Sequence, residues 1–123
     1  MKAKKKILVV DDEKDYAEMV KINLERTNLF FVEIVSKARD ATAAIIKFKP
    51  DLIILDVIMR DISGTTLAKQ LRDDPELKHI PICFLTVSVK SVSSFSEREK
   101  IAYLQKPVTT DDLVRAIQKN LGD

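Results

Sequence analysis

The feature that most constrains this chain is a set of short apolar runs, each closed by a polar residue. Ile7-Leu8-Val9-Val10 runs into Asp11-Asp12, Leu52-Ile53-Ile54-Leu55 into Asp56, and the stretch from Ile80 closes on Thr86. A weaker run, Ile101 to Leu104, is followed by Lys106-Pro107. These runs are too short for buried helices and are rich in β-branched residues. They are continuous rather than alternating, which suits strands covered on both faces of a parallel sheet. Phe30 to Val35 reads as a further strand, interrupted by Glu33.

The stretches between them carry helical spacing. Ala17, Val20 and Leu24 recur between Lys14 and Arg26, and Ala38, Ala41, Ile45 and Phe48 recur ahead of Pro50, which stops a helix. Ser63 is a candidate N-cap for a helix bearing Leu67 and Leu71 and ended by Asp73-Asp74-Pro75. Thr109 with Asp112 resembles a capping box ahead of Leu113, Ile117 and Leu121. Strand and helix alternate throughout, which predicts an α/β, doubly wound parallel sheet with right-handed crossovers. At 123 residues, with no repeat or linker, the expectation is one domain spanning 1–123.

Composition removes several classes of function. A net charge of +2 is too balanced to imply nucleic-acid binding, and the basic run Lys2, Lys4, Lys5, Lys6 reads as a solubilising lead-in. No apolar stretch approaches the ~20 residues of a membrane span, and Ile7 to Val10 is too short for a signal peptide, so a cytoplasmic protein is expected. Cys83, the single cysteine, sits in an apolar run and reads as a buried structural thiol. His79, the single histidine, reads as an exposed loop residue.

In doubly wound sheets the working site lies at the carboxyl ends of the strands. Asp11, Asp12, Asp56, Thr86 and Lys106 all fall on that edge. Converging carboxylates repel one another, so they raise a pKa or recruit a cation, and hard oxygen ligands suit Mg²⁺. Lys106 supplies a compact positive charge for an oxyanion and Thr86 a hydroxyl donor. Together they describe phosphoryl transfer, in which positioning and charge neutralisation carry most of the catalysis and an Asp carboxylate is the available nucleophile.

Asp11-Asp12, then Asp56-Val57-Ile58-Met59 with Gly64, then Thr86, then Tyr103-Leu104-Gln105-Lys106-Pro107, resembles the response-regulator receiver family over essentially the whole chain. Each element alone is weak; in order, each ending an expected strand, they are specific. The resemblance implies a flavodoxin-like receiver fold with five strands in the order 2-1-3-4-5 and five helices. It implies Asp56 as phosphoacceptor, Mg²⁺ held by Asp11, Asp12, Asp56 and the Ile58 backbone carbonyl, and Lys106 on the phosphoryl oxygens. Thr86 and Tyr103 would form the switch, and the Lys106-Pro107 peptide would be cis. The implied partners are a histidine kinase or histidine phosphotransfer protein, and a downstream effector on the face of the fourth helix, fifth strand and fifth helix. That face also leaves room for a phosphorylation-dependent homodimer. The implied function is a phosphorylation-dependent two-component switch without a separate catalytic domain.

Two regions depart from the family pattern. Arg60 stands where proline is usual, which is expected to loosen the loop after Asp56. Ser88 to Lys100 holds five serines and no glycine, which predicts a short, displaced or mobile fourth helix. Ile58 is apolar and cannot position water, so slow autodephosphorylation is expected. The alternative function is a pseudo-receiver interaction module; the intact polar set argues against it. A dehalogenase-type phosphatase would want a second Asp where Ile58 stands, and no P-loop string exists.

Overall fold

The computed structural model describes residues 3–87 and 100–122. Five parallel strands form one sheet: β1 (Lys5–Val10), β2 (Phe30–Val35), β3 (Leu52–Asp56), β4 (Ile82–Thr86) and β5 (Ile101–Gln105). Their spatial order is β2-β1-β3-β4-β5, the expected receiver order. The helices are α1 (Lys14–Arg26), α2 (Ala41–Phe48), α3 (Gly64–Asp73) and α4 (Thr110–Leu121). The sequence reading expected five. The missing one would fall within 88–99, so that expectation, with the short or displaced helix, lies outside the described residues. The last helix of the expected five is therefore α4 here.

The continuous apolar runs follow from burial on both faces. Successive strand residues point to opposite sides. Leu8, Val10, Ile53, Leu55, Ile82 and Phe84 pack with α2 and α3. Ile7, Val9, Leu52, Ile54, Cys83 and Leu85 pack with α1 and α4. Cys83 is fully buried, and burial alone pushes its thiol up to about 12, so it is the inert core residue expected. His79 is exposed, also as expected. Among the described residues no helix is long and apolar enough to cross a membrane.

Helix starts follow local chemistry. The Ser63 hydroxyl accepts from the Thr66 N–H (3.2 Å), and Thr109 accepts from the Asp112 N–H (3.0 Å), satisfying donors that the first turn leaves unpaired. Two boundaries differ from expectation. Ala38 begins a single 3₁₀ turn, Ala38–Asp40, and the α-helix starts at Ala41. β4 starts at Ile82 rather than Ile80. The Ile80 N–H is taken by the Leu77 carbonyl (3.1 Å), and Pro81 has no N–H to give to a ladder.

Candidate functional site

Asp11 follows β1, Asp56 ends β3, Thr86 ends β4 and Lys106 follows β5, so the fold brings all four to one edge. Asp11, Asp12 and Asp56 each offer a carboxylate oxygen within 4.8 Å of the others. Asp11 and Asp56 are buried and Asp12 is half-buried. The donor set is hard oxygen throughout, which fits a small divalent cation that retains several waters. Burial, then the charge of Asp11, push the Asp56 carboxyl up to about 6, against the opposing pull of Lys106 and the Ile58 N–H. A bound cation would offset both that burial and the repulsion from Asp11.

Lys106 stands at the centre of the cluster. Its ammonium donates to Asp11 Oδ2 (3.3 Å) and lies 3.7 Å from Asp56 Oδ1 and 4.0 Å from Glu13 Oε1. Burial pulls its pKa down, but Asp11 and Asp56 together outweigh this and hold it above the usual lysine value. Backbone geometry fixes its base: the Lys106 N–H donates to the Thr86 carbonyl (2.7 Å), and the Lys106–Pro107 peptide is cis, as expected.

Two contributors escaped the sequence reading. Tyr16, in the first turn of α1, lies beneath Lys106 with its ring centroid 4.3 Å from the ammonium, a cation–π contact that steadies the lysine from below. The available signal was an aromatic residue one turn into a helix that opens just after an acidic pair. The Glu13 N–H donates to Asp11 Oδ1 (2.9 Å), fixing that carboxylate. The structure gives Gly64, already part of the motif, its physical reason: its N–H donates to the Val57 carbonyl (2.7 Å), and a Cβ there would collide with the Asp56 backbone carbonyl. Only glycine lets α3 start this close to Asp56.

Arg60 adds a contact that the sequence did not show: its backbone N–H donates to Asp12 Oδ2 (3.0 Å), a bond proline could not make. Its guanidinium lies 4.0 Å from the same oxygen on an almost fully exposed side chain.

The remaining residues sit as follows. Thr86 is fully buried. Tyr103 on β5 is opposite Phe84, two residues before the Thr86–Gln105 pair, and its side chain is turned to the surface, 45% exposed. Ile58 is 63% exposed, and its N–H donates to Asp56 Oδ1 (3.4 Å).

A five-stranded doubly wound sheet carrying an acid cluster and a central lysine on its carboxyl edge defines the receiver class. The model of the response regulator receiver domain matches residues 7–118, and the chain belongs to that family, the receiver component of two-component signalling. Among curated relatives, the polar-differentiation response regulator DivK of Brucella anthropi is 33% identical over 81 residues, 61% of this chain and 63% of that protein. DivK of Brucella ovis is 34% identical over 80 residues, 60% of this chain and 62% of that protein. The match thus spans less than two thirds of those relatives' length. Among solved structures, chemotaxis response regulator CheY4 of Vibrio cholerae superposes with TM-score 0.84 at 28% identity, covering 96% of this chain and 99% of that one. Response regulator protein TrrA of Thermotoga maritima, solved in complex with Mg²⁺-BeF, gives 0.83 at 29% identity, covering 94% and 98%.

Proposed function

We propose that this chain is a phosphorylation switch domain in which Asp56 accepts a phosphoryl group from a histidine kinase or histidine phosphotransfer protein, with Mg²⁺ as cofactor. The observation that carries this reading is the Lys106 ammonium held between two buried carboxylates, 3.3 Å from Asp11 and 3.7 Å from Asp56. A purely structural lysine would not need three carboxylates gathered about it on a solvent-reachable edge.

An Asp56 carboxylate oxygen attacks the donor phosphorus. The new O–P bond forms as the P–N bond of the donor phosphohistidine breaks, and the electron pair leaves on the imidazole nitrogen. Mg²⁺, held by Asp11, Asp12, Asp56 and the Ile58 carbonyl, would neutralise phosphoryl charge. Lys106 exchanges its Asp56 contact for a phosphoryl oxygen while Asp11 and Tyr16 keep it in place. This is electrostatic stabilisation by a pre-positioned cation.

The added oxygens are strong acceptors next to Thr86. Thr86 turns towards them, and Tyr103 moves from the surface into the space vacated. Effector binding then responds at the face of β5 and α4. There Ile101, Tyr103, Leu104, Ala116 and Lys119 line an open groove of about 490 Å³. The same face would serve a phosphorylation-dependent homodimer. The exposed, apolar Ile58 cannot orient attacking water, which supports a long-lived phosphoryl group. A cytoplasmic location fits delivery by a kinase.

The test is intact mass after incubation with phosphoramidate and Mg²⁺. One added phosphoryl group is expected, absent from Asp56→Ala. An unmodified wild-type chain would instead indicate a pseudo-receiver, and modification surviving in Asp56→Ala would move the acceptor elsewhere.

A further inference from the structure

Beside the acid cluster lies an open cleft of about 380 Å³ with the opposite character. Lys14 at the start of α1, Lys37 and Arg39 around the 3₁₀ turn, and Arg60 after β3 line it, with the Ser36 hydroxyl. Two carboxylates also line it, and both are already engaged. Asp61 accepts from the Arg39 N–H (2.9 Å) and the Ala38 N–H (3.3 Å), and the Arg39 N–H foremost holds its carboxyl below the usual range. Asp12 accepts from the Arg60 N–H. Asp61 is itself exposed, so the lining is mixed, with the four cationic side chains in excess over the two carboxylates. Lys14, Lys37, Arg39 and Arg60 are all exposed, as a surface that meets a protein requires.

Placement says which protein. The cleft shares Asp12 with the metal-binding cluster, so whatever occupies it lies beside the path by which a phosphoryl group reaches Asp56. On the same edge the apolar side chains of Ile58 and Val87 are 63% and 60% exposed, offering contact area next to the acceptor. Charge of one sign beside a docking surface steers and selects the partner.

We propose that this cleft docks an acidic segment of the protein that delivers the phosphoryl group to Asp56. The proposal rests on the reading of Asp56 as acceptor, and the test separates the two. Capped hexaglutamate peptide is titrated into the ¹⁵N-labelled chain at low ionic strength. The amides of Ser36 to Asp40 and of Arg60 and Asp61 should shift, and those of the basic run Lys4 to Lys6 should not. The double reversal Lys37→Glu, Arg39→Glu should weaken the peptide by about fivefold, as expected for two exposed charge contacts. Shifts spread over all exposed lysines would overturn the proposal. So would tripolyphosphate binding the same amides more tightly than the peptide, which would make the cleft a small-anion site. Saturating peptide should leave phosphorylation by phosphoramidate within about twofold, because a flanking segment leaves Asp56 open. Peptide that blocks this reaction would lie over the acceptor and also overturn it. Failure of phosphoramidate to modify both wild type and double variant would remove the acceptor reading and leave the peptide result standing.

Discussion

β3 and β5 have five residues each and belong to the same sheet, but their surroundings differ. β3 is central and every residue of it is buried, while β5 is an edge strand with buried, half-buried and exposed residues along its length. β3 ends in Asp56, and β5 carries Tyr103 and leads to Lys106. Asp56, the proposed acceptor, is set on a strand whose position is over-determined by packing on both faces and ladders on both sides. The residue expected to move is set where one side is open. Rigid placement and mobility are separated by one intervening strand, β4, which ends in Thr86.

The largest effect that would sharpen this contrast is in stability. Ile54→Ala on β3 should cost about 2–5 kcal/mol in urea denaturation, as for a fully enclosed side chain. Tyr103→Ala on β5 should cost less than about 1 kcal/mol, as for an exposed position. Equal losses would break the comparison.

A smaller effect concerns the charge at the end of β3. The Asp56 carboxyl is raised from an ordinary 3.8 to about 6. The folded chain therefore holds a proton that the unfolded chain releases between those values. This contribution favours folding below the ordinary value and is lost as pH rises through the folded one. Asp56→Asn should stabilise the metal-free chain at neutral pH by about 1–2 kcal/mol, after allowance for solvent screening, and by nothing near pH 4. Mg²⁺ should stabilise the wild type and leave the Asn variant nearly unmoved. Thermal melts across pH, with and without Mg²⁺, check both statements.

The smallest effect is at Arg60, whose exposed guanidinium should compete weakly with a cation for Asp12. Arg60→Ala keeps the backbone bond and should tighten Mg²⁺ binding about two- to threefold at low salt, with the difference vanishing at high salt. Calorimetric titration at two ionic strengths measures it.

The sheet was legible because burial on both faces leaves a plain mark, an apolar run with no alternation. The acid cluster was legible because each member directly ends such a run. What escaped depends on distances between side chains rather than on position along a strand. Tyr16 is one half-buried residue on an amphipathic helix, and nothing in its neighbours shows that Lys106, 90 residues later, will lie over its ring. Arg60 was read as a missing proline, and what mattered was the N–H that proline lacks. Ile80 looked like a strand because its apolar character reports burial, and it is buried, in a turn. The cationic cleft was invisible because its members come from three separate loops.

The contact between Lys106 and Tyr16 has a spectroscopic consequence. The chain holds no tryptophan and two tyrosines, so its intrinsic fluorescence comes from Tyr16 and Tyr103 alone. One emitter lies under the Lys106 cation beside Asp56, and the other stands at the surface of the edge strand. The molecule thus carries a native optical probe at each end of its proposed signal path. With Tyr16→Phe and Tyr103→Phe as single-emitter variants, the arrival of charge at Asp56 and the response at β5 can be timed separately without attaching a label.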